Sequence, residues 1–256
     1  MLHRYNIIAV AMLCFLPLRG LSAELVKTFA DGRVEVNWSS MKIKYYGESQ
    51  VEADAVSYQE AEKRAWQNGL DYINEVMPEI RSSFGISLSS DPEAVAAQNT
   101  LVSRSSYSVD TRYFNDGKIR VYLESSLGRA LQSPILKLSA KPEKFEAKNS
   151  GLIIKLDGGV VSETYKIINQ NNDILFSTED VSKQAFLRNM MGRWFVKDKG
   201  RAFSRSVGPD PVAVGGVLVK KGLIRVDDSE WKSSLEGNQG LLHGAKVALV
   251  LKPAVQ

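Results

Sequence analysis

Apolar and polar positions follow two different periods along this chain. Val34, Val36 and Trp38 alternate with Glu35 and Asn37; after Ser39-Ser40, Ile43 and Tyr45 alternate with Lys42 and Lys44. A period of two marks half-buried strands, and the short polar break marks a tight turn. From Val51 to Met77 the period changes. Tyr58, Ala61, Ala65, Gly69, Tyr72 and Val76 fall on one helical stripe, widened by Trp66, Leu70, Ile73 and Met77. The pattern predicts an amphipathic helix of about seven turns, with Pro78 as its stop. The small residues on its stripe would let it lie close to a sheet. With four strands predicted around it, a core face explains the stripe better than a partner or membrane face.

Asp91-Pro92-Glu93 supplies a cap, a first-turn proline and an acid suited to the helix dipole. A second helix is expected from there to about Val102. The stretch YSVDTRYFNDGKIRVYLESSL then reads as two strands about Asn115-Asp116-Gly117, since Asp-Gly supplies the positive backbone angles of a hairpin turn. Residues 24–132 therefore form a β-β-α-α-β-β module, an antiparallel sheet with helices on one face. Residues 133–149, with two prolines and scattered lysines, read as a linker.

Residues 150–256 read as a second, smaller α+β or mixed α/β module, which makes the chain α+β overall. Strands are expected at Gly151–Leu156, Val160–Ile168 and Ile174–Ser177, and a short helix over Val181–Met191. PVAVGGVLVKKGLIRVDD gives further strand, with Gly215-Gly216 as a bulge or bend. Asp228 is placed to cap a helix over Ser229–Leu235, and a buried strand follows Ala245.

The start of the chain changes the compartment expected. Arg4 precedes an almost wholly apolar run from Ile7 to Leu18, Gly20 breaks it, and Ala23 offers a small residue for cleavage. Residues 1–23 thus read as a secretory signal peptide, too short to span a bilayer. The only cysteine, Cys14, lies inside that run after Met12-Leu13, a poor lipoprotein site. The expected product is exported and periplasmic, without thiol or disulfide chemistry. Its charge is nearly balanced, because Arg4 and Arg19 leave with the signal. Such a balance argues against the whole protein binding a polyanion.

Candidate chemistry is sparse. Gly158-Gly159 precedes Val160-Val161 rather than a helix, and no Gly-Lys-Ser/Thr follows, so a turn is expected rather than a phosphate cradle. His243, the one histidine beyond the signal, sits in GLLHGAK without a nucleophile motif elsewhere. One histidine with carboxylates is poor zinc chemistry, and NQNNDILFS lacks the glutamate spacing of a calcium loop. No cofactor or metal is expected. Asp227-Asp228 and the acids of the long helix could serve glycan binding or hydrolysis only if two carboxylates shared a cleft.

One stretch is unusual. Lys183, Arg188, Arg193, Lys197, Lys199, Arg201 and Arg205 are interrupted by a single acid, Asp198, with Trp194, Phe195 and Phe203 among them. Either this is a solvated face whose aromatics are core, or it contacts an anionic partner. For an exported protein that partner would be a glycan, a lipid headgroup or an acidic protein rather than nucleic acid.

VEVNWSSMKIKYYGES, AVSYQEAEKRAWQNGLDYINEV and SVDTRYFNDGKIRVYLESSL together resemble a domain of exported bacterial proteins. It occurs in the 20-kilodalton outer-membrane lipoprotein family and at the N-terminus of flagellar assembly protein T. The matching positions are Trp38, Ala61, Glu62, Ala65, Asp116 and Gly117. The second half, through SGLIIKLDGG, KIINQNNDILFS and VDDSEWKSSL, is similar to a domain that often follows it in envelope proteins. The resemblance implies a non-enzymatic cell-envelope protein with a structural or assembly role, partnered by envelope or flagellar assembly proteins. It also implies peripheral association with the outer membrane or cell wall.

Overall fold

The computed structural model describes residues 24–51, 57–83, 92–131, 137–140, 146–158, 161–162 and 164–252. The signal segment and the Asp91 cap lie outside them. The first half contains β1 (Val26–Phe29), β2 (Val34–Asn37), β3 (Lys42–Gln50), α1 (Tyr58–Ser83), α2 (Pro92–Ser105), β4 (Tyr107–Tyr113), β5 (Lys118–Ser126) and the single turn α3 (Leu127–Ala130). Its sheet runs β1-β2-β3-β5-β4, antiparallel throughout, with α1 lying over β3 and β5. This is the expected order with one extra edge strand. Three of the four residues of β1 are exposed, so it carries no alternation to read.

The two expected hairpins form. Asn37 Oδ1 accepts the Ser39 and Ser40 N–H groups at 3.0 and 2.8 Å, closing β2 onto β3. At the other, Gly117 adopts φ +81°, the left-handed angle its Asp-Gly turn requires. Asp116 Oδ1 there accepts the Lys118 N–H at 3.0 Å.

Two expectations about the long helix are corrected. It is described from Tyr58, while Val51 extends the hairpin by donating its N–H to Gly117 O at 2.9 Å and residues 52–56 lie outside the described residues. Tyr58 itself is exposed. Nor does Pro78 end the helix, which continues to Ser83. Pro78 faces solvent, while the turn beyond it buries Ile80 completely and Arg81 almost so, with an Arg81 N–H donated to Ala130 O at 3.0 Å. Burial of this last turn offsets the backbone bond that proline cannot make.

The helix approaches the sheet at its small residues. Ala61, Ala65 and Gly69 are buried on the face toward the sheet, and Ser49 Oγ donates to Ala61 O at 2.5 Å. A methyl group on Gly47 would stand 1.9 Å from Ala65 O and 2.3 Å from Gly69 N. Helix and strand are in backbone contact there.

The second half contains β6 (Gly151–Leu156), β7 (Lys166–Ile168), β8 (Ile174–Phe176), α4 (Lys183–Asn189), β9 (Arg193–Phe195), α5 (Arg201–Val207), β10 (Pro211–Lys220), β11 (Leu223–Val226), α6 (Asp228–Leu235), α7 (Gln239–His243) and β12 (Val247–Leu251). Its sheet is mixed, in the order β8-β7-β11-β10-β6-β12-β9. Gly158 turns out of β6 with φ +90°, the next described strand begins at Lys166, and the expected strand start at Val160 lies outside the described residues. Gly215 and Gly216 keep regular register with Lys155 and Leu156, so the bulge expected there is absent; the irregularity in β10 falls between Leu218 and Lys220. The cap of α6 is Asp227, not Asp228: its carboxylate accepts the Ser229 and Glu230 N–H groups. Among the described residues no helix is long and apolar enough to cross a membrane.

The described parts of the 133–149 segment are bonded to the second half: Ser139 N–H to Val181 O at 2.9 Å, and Lys148 N–H to Gly237 O at 3.1 Å. The two halves also share one core cluster, which includes Trp38, Met41 and Leu127 with Phe186, Trp194 and Leu249. Ser39 stitches the seam, accepting Leu25 N–H at 2.8 Å and donating to Trp194 O at 2.5 Å. Glu24 bridges to Phe195.

Candidate functional site

The basic stretch is divided by the fold. Trp194, Phe195 and Phe203 are buried, so its aromatics belong to the core. Lys183 is exposed at the start of α4, Lys199 lies in the turn before α5, and Arg201 and Arg205 project from α5 into solvent. Lys197 is half-buried just after β9, where Asp198 pairs with Lys155 at 3.3 Å. Only Arg188 and Arg193 of the seven line a cleft with other cations.

That cleft lies between the two halves and encloses about 800 Å³. Lys42 reaches it from β3, Arg104 from the end of α2, Arg129 from α3, Arg188 from α4, Arg193 from β9, and Lys246 from the approach to β12. No described lining residue is acidic. Ser40, Ser105, Ser125 and Ser126 supply hydroxyls. Gly128 sets the spacing of the walls: a methyl group on it would meet Leu187 O at 2.6 Å, so α3 packs directly on the last turn of α4. Any side chain at that position would push Arg129 away from Arg188.

Each cation is held differently. Arg193 is half-buried and donates from Nε and Nη2 to Asn189 Oδ1 at 3.2 and 2.9 Å. Burial pushes its guanidinium pKa down. Arg104 and Arg129 are exposed and form no ion pair among the described residues. Lys42 pairs with Glu124, which also accepts the Tyr107 hydroxyl at 2.8 Å. Burial favours the neutral form of Glu124, but the hydrogen bonds from Lys42 and Tyr107 outweigh it and hold the carboxyl below its usual range. The Glu124 bond correspondingly raises Lys42.

A depressed carboxyl pKa stabilises the fold above the unfolded value and loses that contribution as pH falls through the folded one. Lys42 is partly exposed, so the pair is screened and worth about 0.5–1 kcal/mol. Glu124→Gln is therefore expected to lower stability at neutral pH by about that amount. The wild-type advantage should fade as pH falls below the ordinary carboxylate range, as urea unfolding at a series of pH values would show.

The carboxylate candidates are mostly committed to structure. Asp227 accepts from the Ser229 hydroxyl, the Glu230 N–H and the Gln170 amide, which hold it well below the usual carboxylate range. Asp228 Oδ2 accepts from the Asn169 amide at 3.4 Å, and its buried Oδ1 has no hydrogen-bond partner among the described residues. A larger cavity of about 1500 Å³ is lined by Glu146, Glu179, Asp180, Glu236 and His243. In it the Asp180 carboxylate accepts the Ser177 N–H at 2.7 Å, and Asp180 O meets His243 Nδ1 at 3.0 Å. Among the described residues no group of three or more His, Cys, Asp or Glu could hold a metal ion.

No protein-family model matches the chain, and no curated protein matches it. The cleft's other cations, Lys42, Arg104, Arg129 and Lys246, lie far apart in sequence. No local charge run marks them, and only the packing of the two halves brings them together.

Proposed function

We propose that this chain is an exported, non-enzymatic cell-envelope protein with a structural or assembly role in flagellar or outer-membrane assembly, acting through protein contacts. The observation that carries the reading is the edge strand β4. It pairs only with β5 among the described residues, yet presents Tyr107, Val109, Tyr113 and, just beyond its end, Phe114 as exposed apolar side chains. A seven-residue edge strand with exposed apolar side chains and no second strand beside it among the described residues is suited to accept a strand from another protein. The sequence resemblance to envelope assembly domains supports the same role. Glycan binding or hydrolysis is the competing reading. Its best location is the 1500 Å³ cavity, where Asp180 and His243 are already engaged with backbone groups.

Val109 is the test position, because it is 48 % exposed and sits where the β4–β5 register shifts. Val109→Lys should change stability by less than about 0.5 kcal/mol while blocking strand addition with a charge. Cells carrying a tagged copy are fractionated and the tag is recovered from the periplasmic and outer-membrane fractions. Stoichiometric recovery of flagellar or outer-membrane assembly proteins with the wild type, lost with Val109→Lys, is the expected result. A freely soluble protein without partners would overturn the proposal.

A further inference from the structure

We propose that the cleft between the two halves is a binding site for a small ligand carrying two phosphate groups. This inference stands independently of the envelope role. Six cationic residues, Lys42, Arg104, Arg129, Arg188, Arg193 and Lys246, line it, and no described lining residue is acidic. Only Lys42 has its charge answered by a described ion pair among the three strand and helix-end cations Lys42, Arg104 and Arg129. Cations that share one cleft repel one another, and Arg104 and Arg129, which form no ion pair among the described residues, would gain from a multiply charged anion that answers both.

Ser125 is a second, independent sign. It is 1 % exposed, lines the cleft, and its hydroxyl has no hydrogen-bond partner among the described residues. A buried hydroxyl without a partner is costly, and a phosphate oxygen would satisfy it once the Ser125 side chain, now on the face of Ile43, turned toward the cleft. Guanidinium forks and hydroxyls together suit phosphate oxygens, which accept several bonds each. The volume of about 800 Å³ matches a small-molecule site. The cleft has several separate cationic walls rather than one continuous basic groove, which argues against an extended nucleic-acid strand.

The probe is inorganic pyrophosphate, titrated calorimetrically into the full chain, with inorganic phosphate for comparison. Arg104→Ala/Arg129→Ala removes two exposed cations from the walls, and Lys63→Ala/Arg64→Ala removes the same charge from exposed positions on α1. Pyrophosphate should bind more tightly than phosphate. The cleft variant should weaken it by about tenfold or more, and the α1 variant by less than about twofold. A second arm uses vesicles of cardiolipin, whose headgroup carries two phosphates, in phosphatidylcholine. Capture of the chain that pyrophosphate reverses and the cleft variant loses would support the site and make its source a lipid headgroup. Pyrophosphate binding without vesicle capture would support a soluble ligand. No pyrophosphate binding, equal weakening by both variants, or polyglutamate binding as tight as pyrophosphate would overturn the proposal.

Discussion

Gly47→Ala should lower the unfolding free energy by about 3 kcal/mol or more, although it adds a single methyl group. The added carbon would stand 1.9 Å from Ala65 O and 2.3 Å from Gly69 N. Both are backbone atoms of α1, so no side-chain rotation relieves the overlap. The helix must lift as a body from β3, opening the contacts at Ala61 and Ala65 and stretching the bond from Ser49 to Ala61 O. Gly69→Ala is the informative companion. Its closest encounter, 2.7 Å, is with the tip of the Leu123 side chain, and Gly47 N is 3.1 Å away. Alanine also favours the helix by about 1 kcal/mol over glycine. Its net effect should therefore be well under half that of Gly47→Ala. Urea unfolding of the two variants beside the wild type gives both numbers. Equal effects would mean that helix and strand are not in backbone contact.

Trp38→Ala should destabilise the protein by about 3–5 kcal/mol, and the loss should reach both sheets. Trp38 is 1 % exposed, and its carbonyl accepts the Trp194 N–H at 3.4 Å. The next residue, Ser39, binds Leu25 on its own side and Trp194 O on the other. Truncating Trp38 opens a cavity in the shared core at the point where β9 meets the first sheet. Native-state hydrogen exchange is the measurement. Protection should fall together in β5 of the first sheet and in β6 and β12 of the second. A fall confined to the first sheet would show two units that open separately.

The strongly periodic elements were legible before the structure. The β2–β3 hairpin, the Asp-Gly turn, the stripe of α1, the central strand β6 and the last strand all follow from local alternation, spacing or turn chemistry. The failures share a cause, which is that tertiary contacts decided them. Pro78 ends a helix by its own chemistry, but burial of Ile80 and Arg81 carries the chain through it. Strand β1 is paired without an apolar face of its own. Strand β9 sits inside a basic stretch and is recognisable only by its pairing with β12. The site shows the same division. Sequence marked seven basic residues because they are near one another in the chain, and the fold selects Arg188 and Arg193. It joins them to Arg104 and Arg129, whose neighbours in sequence give no sign of a common destination. Close helix–strand contact, by contrast, was visible in the run of small residues on α1.

The position of β12 has a consequence for how the chain matures. It lies inside the second sheet, between β6 and β9, although it follows every other described strand along the chain. The strand that carries the seam with the first half, β9, finds its sheet neighbour in residues Val247–Leu251. During synthesis in the N-to-C direction, the first sheet can assemble as soon as β5 emerges. The second sheet waits for its closing strand, and until then β6 and β9 expose edges that later become interior. A nascent or C-terminally clipped chain would thus keep a folded first half tethered to an open, aggregation-prone second half, and the basic cleft would form only when the final strand is laid in.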